Sequence, residues 1–500
     1  MLTLSILIPL LAALGLFLWP DAGKHRARPV ALGASALSLL CLVVVWIGFD
    51  TGPEAAAFQS VSEIGWIDAL GVAWRVGVDG MSLAISLMSG LLFLCAIAWP
   101  AETKGRARQY YGWFLFLQGV SLGLFLTLDL LVFYVFFDLT LVGMYFLIGR
   151  WGHEKAEYAA LKFFVYTLAG SLAILLAILG LVVANGTLTF DMRALIAAQP
   201  LGGADLRSSL ILLGFLVGFA IKTPLVPFHT WLPLAHVEAP GPASAVLAGV
   251  LLKMGTYGMV RIPFQMMRET FAAYAFPLAL VALVAILWGS LVALGQTNLK
   301  RRIAYTSVNH MGYTVLGIAA AGAMIGSESV RTLALSGAVT EMVAHGLITG
   351  ALFLIAGSFY TRTGTYELSR YGGLARVTPL LMVAYFLAAF ASFGLPGLAG
   401  FVAEFQIFAG SFGVYPLVAA IGLIGLIVTA ALFLMMGQTI FFGETKPGIA
   451  ALQDLKPAEI WPLAALLALV VLIGILPGRL LDMIQTGSAF APFRAAGGPQ

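Results

Sequence analysis

Charge is what this sequence has least of. Only 10% of its 500 residues are Asp, Glu, Lys or Arg, whereas 61% are hydrophobic. A soluble domain carries about 25% charged and about 45–50% apolar residues, so lipid rather than water must solvate most of this surface. Cysteine is nearly missing as well. Cys41 and Cys95 both fall in apolar runs, which excludes a disulfide framework and a CxxC metal site. No glycine-rich loop opens a βαβ unit, which excludes a dinucleotide site of that kind. A formal charge of +4 on so long a chain leaves no footprint for nucleic acid. The opening stretch MLTLSILIPLLAALGLFLW has no basic leader and no small-residue cleavage site, and is expected to be a retained first crossing.

What is there is a series of apolar runs. A hydrocarbon core about 30 Å thick needs about 20 apolar residues per helix. Fourteen runs answer to that, near 2–20, 30–49, 79–99, 110–128, 130–149, 158–184, 207–234, 242–262, 272–296, 302–323, 332–360, 377–411, 413–442 and 460–479. The expected fold is therefore an all-α polytopic membrane protein with about fourteen transmembrane helices. Sixteen of the 27 basic residues, Lys24, Arg150, Lys155, Lys300, Arg301, Arg302 and Lys446 among them, follow odd-numbered spans. Eight lie on the other side, including Arg75, Arg193, Arg261 and Arg331. The positive-inside rule then places odd-to-even loops in the cytoplasm of a bacterium, with both termini on the periplasmic side of its inner membrane.

Two runs carry prolines where a helix should continue: TPLVP in span 7 and FGLPGLAG in span 12. Proline inside a helix removes a hydrogen bond and clashes with the preceding turn. At membrane depth this is tolerated only where protein or trapped water satisfies the freed backbone. Span 7 is fourth in the set 4–8 and span 12 fourth in the set 9–13, and the two sets start from opposite sides. The pattern predicts two inverted five-helix repeats, each with a broken fourth helix. The chain divides accordingly into residues 1–109 (spans 1–3), 110–262 and 263–442 (the repeats), and 443–500 (span 14 and tail).

Titratable groups sit where lipid should exclude them. Asp138 is in span 5, Lys222 just before the first break and Lys253 in the middle of span 8. His345 is central in span 11 with Glu341 one turn earlier, and Glu404 follows the second break. A charge at mid-helix costs about 2.5–3.5 kcal/mol on insertion scales, and such groups usually line ion or proton routes. Any one of them alone reads equally well as a polar residue pairing two helices; as a set they point to a proton relay. Lysine suits such a relay because it can release its proton, as arginine cannot. An Asp138–Lys222 pair that opens and closes would set when it does so. Histidine suits the links: His310 and His345, with His229, His236 and Glu341 as secondary members. Lys162, near a helix start, reads as a snorkelling lysine.

The motifs GVDGMSL, FVYTLAGS, KTPLVPFHTWLPLAHVEAPGPASAVLAGVLLKMGTYGMVR, SVNHMGY, MVAHGLITGALF and GLPGLAGFVAEF occupy roughly residues 75–445. In them the chain resembles the antiporter-like membrane subunits of respiratory complex I, the proton-pumping NADH:quinone oxidoreductase, and most of all chain M. That subunit type has lysine in span 8 and glutamate in span 12, here Lys253 and Glu404; sister chains L and N generally carry lysine at the latter. The resemblance implies a translocase subunit with no redox centre of its own, NADH, FMN, iron–sulfur clusters and quinone residing in partner chains. It implies Asp138 and Lys222 as the carboxylate–lysine pair, Lys253 as central relay, His310 and His345 as hydrated links and Glu404 as terminal carboxylate. Partners would be neighbouring antiporter-like chains, the lateral helix of chain L, the peripheral redox arm and membrane lipid. Asp138 and Leu234 depart from the family, where glutamate and aspartate are usual. A sodium/proton antiporter subunit, the membrane arm of a proton-pumping hydrogenase and a purely structural anchor are the competing expectations.

Overall fold

The computed structural model describes all residues except 19–25, 53, 447–448, 450–451 and 495–500; Lys24, counted above, lies outside the described residues. The chain is mostly helical. Helices α1 (Leu2–Leu18) and α2 (Ala27–Ile47) are followed by α3 (Gly80–Ala98), α4 (Ala107–Leu126), α5 (Leu130–Trp151) and α6 (Ala156–Ala184). A short α7 (Met192–Ala198) leads to α8 (Leu206–Lys222) and α9 (Leu232–Glu238). The segment Gly241–Phe264 is one continuous helix in which α10 (Gly241–Val246) and α11 (Lys253–Met259) alternate with wider π turns. Then come α12 (Arg268–Leu294), α13 (Leu299–Gly322), α14 (Glu328–Thr363), α15 (Pro379–Ser392) and α16 (Ala399–Phe412). Helices α17 (Pro416–Phe441), α18 (Pro457–Ile475) and the amphipathic α19 (Gly478–Gln485) complete the order. Among the described residues nine helices are long and apolar enough to cross a membrane.

Burial sorts these helices into a centre and a rim. Segment Gly241–Phe264 and the middle of α14 are wholly covered by other helices, whereas α2, α6, α12, α17 and α18 keep one face of leucine and valine outward. The central helices need not be apolar all round, because only the rim meets lipid. They are instead rich in small residues that let backbones come close.

The expectation of an all-α chain is corrected by a β-hairpin between α2 and α3. Strands β1 (Gln59–Ile67) and β2 (Val72–Val78) pair antiparallel, with Glu63 opposite Arg75. The turn closes at Gly71, whose φ of +66° suits glycine. The hairpin also explains the seam between α4 and α5. Leu128 N–H donates to Arg75 O, and the Asp129 carboxylate accepts from Leu131 N, Val132 N and Ala73 N while pairing with Arg75 at 2.7 Å. Asp129 thus caps α5 and ties it to the strand.

Two basic residues counted above toward the side-to-side asymmetry are buried in the protein. Arg261 is fully buried and makes a bidentate pair with Asp79, which caps α3. Ser488 Oγ, from the C-terminal segment, donates to the same carboxylate, so one ion pair joins three distant parts of the chain. Lys300 is fully buried too.

At the hairpin, Arg75 and Arg193 hold Glu63 and Asp191 in a four-residue network. The hydrogen bond from Arg75 lowers Glu63 below the usual carboxylate range. Burial opposes ionisation of Asp191, but the bonds and charge of Arg193 outweigh it and lower this group as well. A carboxylate depressed in the folded state stabilises it above the unfolded value and loses that contribution as pH falls through the folded one. Hydrogen-exchange protection across residues 59–78 is therefore expected to hold from neutral pH down to about pH 4–5 and to fall below that, while α3 stays protected. Protection unchanged at the lowest pH would show that the network does not hold the hairpin.

Candidate functional site

The site is built where α14 crosses segment Gly241–Phe264. The two backbones meet glycine to glycine. A Cβ on Gly249 would lie 3.0 Å from Gly346 O, and one on Gly346 would lie 3.0 Å from Gly249 O. Lys253, one turn past Gly249, and His345, next to Gly346, are thereby brought into contact. Lys253 Nζ lies 2.6 Å from His345 Nδ1 and donates to Ala248 O at 2.6 Å. Ala248 is within the π turn 247–251, a local widening found frequently at functional sites. With Lys253 as ammonium, Nδ1 of His345 accepts and the imidazole proton sits on Nε2.

Beyond His345 the contacts continue. Its ring centroid lies 5.2 Å from that of His310 on α13. His310 Nδ1 lies 3.2 Å from Glu341 Oε1 and 3.7 Å from Glu404 Oε1, and Nε2 lies 3.2 Å from Ser392 Oγ. Five titratable side chains from four helices thus form one cluster, all of them buried. Both Glu404 carboxylate oxygens, Glu341 Oε2 and His345 Nε2 have no hydrogen-bond partner within the protein. Buried polar groups of that kind are normally satisfied by protein or ordered water.

Each helix break contributes to the cluster or to its approach. The second break, between α15 and α16, sets Ser392 against His310 and lays Gly394 under Glu404. Gly394 has φ +72°, and a Cβ there would lie 2.1 Å from Glu404 Oε2. The first break follows Lys222. Pro224 and Pro227 have no N–H to continue α8, and the indole of Trp231 donates to Ile221 O at 2.9 Å, satisfying a carbonyl near the helix end.

Lys222 and Asp138, expected as a pair, are not joined directly. Lys222 Nζ donates to Thr140 Oγ1 at 2.9 Å and lies 4.8 Å from the centre of the Phe137 ring. Thr140 and Asp138 stand two residues apart on α5 and face differently, yet the ammonium remains within electrostatic reach of the Asp138 carboxylate. Asp138 is half-buried, with Oδ1 unpartnered within the protein. The end of α8 nevertheless touches the cluster's scaffold: a Cβ on Gly255, two residues past Lys253, would lie 2.3 Å from Thr223 Oγ1.

The remaining candidates separate. His229 accepts from the Trp288 indole at 3.3 Å, away from the cluster. His236 is fully buried, stacks on Phe353 at 4.3 Å, and has neither ring nitrogen partnered within the protein. Lys162 is half-buried on α6. Sequence reasoning missed Thr140, Ser392 and Gly394. The last two stand beside the second proline break, which was the available signal; Thr140 offered none.

Fold and site together define a polytopic membrane protein with a cluster of buried titratable side chains in its core. The family described as "NADH:quinone oxidoreductase/Mrp antiporter, TM" matches residues 127–433, and the chain belongs to it. It is 38% identical over 490 residues to NAD(P)H-quinone oxidoreductase chain 4 1 of a Picosynechococcus species, covering 95% of this chain and 89% of that protein. It is 35% identical over 489 residues to NADH-quinone oxidoreductase subunit M of Rickettsia prowazekii, covering 97% and 96%. Among solved structures it is similar to a chain of respiratory complex I from Thermus thermophilus with bound NADH, at TM-score 0.87 and 32% identity over 99% of both chains.

Gly394 offers a test of the site that leaves every titratable group in place. Gly394→Ala forces Glu404 off its seat and strains the backbone by about 1 kcal/mol or more. Proton-coupled turnover of the assembled complex should fall about tenfold or more, the rate loss that each ~1.4 kcal/mol of added barrier produces. Wild-type pumping by that variant would show that the position of Glu404 is unimportant.

Proposed function

We infer that this chain is a proton-translocating membrane-arm subunit of an NADH:quinone oxidoreductase. The observation that carries the reading is the close succession of Lys253, His345, His310, Glu341 and Glu404 in one buried cluster. A proton leaving the Lys253 ammonium is accepted by His345 Nδ1 while the proton on Nε2 departs toward His310. His310 in turn delivers from Nδ1 to Glu404 or Glu341. Only N–H and O–H bonds change, so the route carries hydrogen ions and needs no redox centre in this chain. Ordered water completes the gaps at the unpartnered oxygens and between the Lys222 end of α8 and Lys253. Glutamate rather than lysine at position 404 favours this reading over a sodium/proton antiporter subunit.

Lys222 acts as the switch of the first half. Seated on Thr140, its ammonium is held by a neutral hydroxyl rather than paired with the Asp138 carboxylate, and movement between these two partners would let it exchange a proton. In this reading the chain crosses the bacterial plasma membrane fourteen times as two inverted repeats, both termini outside. The first repeat ends with Gly241–Phe264 and the second with α17. Neighbouring antiporter-like chains, the lateral helix of chain L and lipid surround it. Redox chemistry with NADH, FMN, iron–sulfur clusters and quinone is confined to partner chains, whose energy reaches this chain through conformation or electrostatics.

The test uses the whole complex in its native membrane. Lys222→Met, Lys253→Met and Glu404→Gln should each assemble and reduce an artificial electron acceptor normally, yet lose about tenfold or more of proton-coupled quinone reduction. Normal pumping by all three would leave only a structural anchor. Asp138→Glu lengthens the acid by one methylene toward the family's usual residue, and is expected to keep at least half of the coupled activity; a severe loss would show that local packing requires the shorter acid.

A further inference from the structure

The helix that carries Lys253 continues toward the hairpin past two more polar side chains on the same face. Tyr257 stands one turn along and Arg261 two, about 12 Å from Lys253 at 1.5 Å per residue. The relay uses neither. By residue type alone this line reads as a second way to or from Lys253, because polar groups at membrane depth usually mark such routes.

Its geometry is the reverse of the relay's. Arg261 Nε donates to the Tyr257 hydroxyl at 3.1 Å, and that hydroxyl donates to Phe125 O at 2.9 Å. Arg261 Nη1 donates to Asp79 Oδ2 at 2.9 Å, Gln265 Oε1 at 3.2 Å and Ser488 Oγ at 2.6 Å, while Nη2 donates to Asp79 Oδ1 at 2.7 Å. Ser488 gives its own N–H and hydroxyl to Asp79 Oδ2, at 2.9 and 2.7 Å, and Gln265 Nε2 donates to Ser488 Oγ at 2.9 Å. The rings of Phe58 and Tyr257 each lie 5.2 Å from the guanidinium carbon. All five polar residues are at most 4% exposed. None of them leaves a buried side-chain nitrogen or oxygen without a protein partner, whereas Glu341, His345 and Glu404 each leave at least one. Bare buried polar atoms are where ordered water is held, so the relay has seats for water and this network has none. Asp79 also fixes the start of α3, and further along α3 Met88 and Leu92 pack against Gly346 and Gly249 at the helix crossing.

We propose that Asp79, Tyr257, Arg261, Gln265 and Ser488 form an insulating plug, which denies water and protons a path between Lys253 and the hairpin end of the bundle. The proposal rests on the proton-translocating reading and adds to it what keeps the relay from short-circuiting. Arginine releases no proton, so the line of side chains ends as a carrier chain at Arg261. Its fixed positive charge also disfavours a hydronium ion beside it. The completed hydrogen bonds leave no place for water to pass around it. Clamping α3, the Lys253 helix and the C-terminal segment does not itself call for charge, because well-packed hydrophobic residues hold such a junction as well as a buried ion pair does.

The test uses the whole complex in sealed vesicles and compares Tyr257→Phe, Ser488→Ala, Glu459→Gln and Lys253→Met. It reads assembly, proton pumping, quinone reduction with and without an uncoupler, and the decay of an imposed pH difference across vesicles holding the resting complex. Tyr257→Phe strips a partner from Arg261 Nε and Phe125 O, and Ser488→Ala strips partners from Arg261, Gln265 and Asp79. Each leaves room and bare polar atoms for water. The plug predicts that both variants keep quinone reduction but lose its stimulation by the uncoupler. The imposed pH difference should decay about tenfold faster than in wild type, the change that ~1.4 kcal/mol off a barrier produces. Glu459→Gln breaks the Arg362 pair that ties the other end of α14 to α18, and should leave the vesicles as tight as wild type. Faster decay in either network variant, absent from Glu459→Gln, supports the plug, and if one variant fails to assemble the other decides. Wild-type tightness in the network variants, an equal leak in Glu459→Gln, or an ordered water inside the network in a density map of the wild-type complex would overturn it. Loss of pumping in Lys253→Met with tight network variants refutes the plug alone, whereas normal pumping in Lys253→Met refutes the underlying relay.

Discussion

Lys253 reaches His345 because two helices give up their side chains where they cross. Gly249 and Gly346 bring the backbones of Gly241–Phe264 and α14 together, each glycine seated against the other's carbonyl. A methyl group at either position would push the helices apart and break the 2.6 Å contact between the two titratable groups. Burying an ammonium is costly unless partners surround it, and here the partners are an imidazole and the Ala248 carbonyl. The rest of the molecule follows from that cost. The centre is screened from lipid by a rim of apolar helices, so that polar side chains are permitted only in the screened core.

The two broken helices extend the same logic to the backbone. An interrupted helix frees N–H and C=O groups that lipid cannot satisfy. At the first break the Trp231 indole takes one carbonyl, and proline removes two donors; at the second, glycines at 394 and 397 adopt positive φ. Each break then leaves a side chain of the relay next to backbone that tolerates water: Lys222 in one case, Glu404 in the other. The same residues that end the helices therefore also position the titratable side chains beside them. Toward the end of the bundle that carries the hairpin, the buried Asp79–Arg261 pair and the hairpin network tie the helices together.

Much of this was legible in the sequence because lipid imposes a simple rule. Apolar runs, proline breaks and isolated charges at mid-run stand out against a chain with 10% charge, and Lys253, His310, His345 and Glu404 did converge. Glu341, ranked secondary, proved as central as the others because His310 lies closer to it than to Glu404. The hairpin was missed although Gly71 separates two β-prone runs, because a membrane reading discounts stretches between crossings. Lys300 was hidden inside LKRR, a run that reads as a basic loop; only the turn at Ala239 and the Tyr366 ring reveal that its lysine points inward. The Thr140 seat for Lys222 depends on the side chain's direction across two helices, which no spacing along one helix encodes.

The central claim is that these side chains form one water-assisted conduit, and an experimental density map of the assembled complex sharp enough to resolve ordered water tests it most directly. The account predicts Lys253 Nζ within hydrogen-bond distance of His345, with ordered waters on the Glu404 carboxylate and between Thr223 and Lys253. A dry, apolar gap separating Lys253 from His310 or from Glu404, too wide for solvent to bridge, would contradict it.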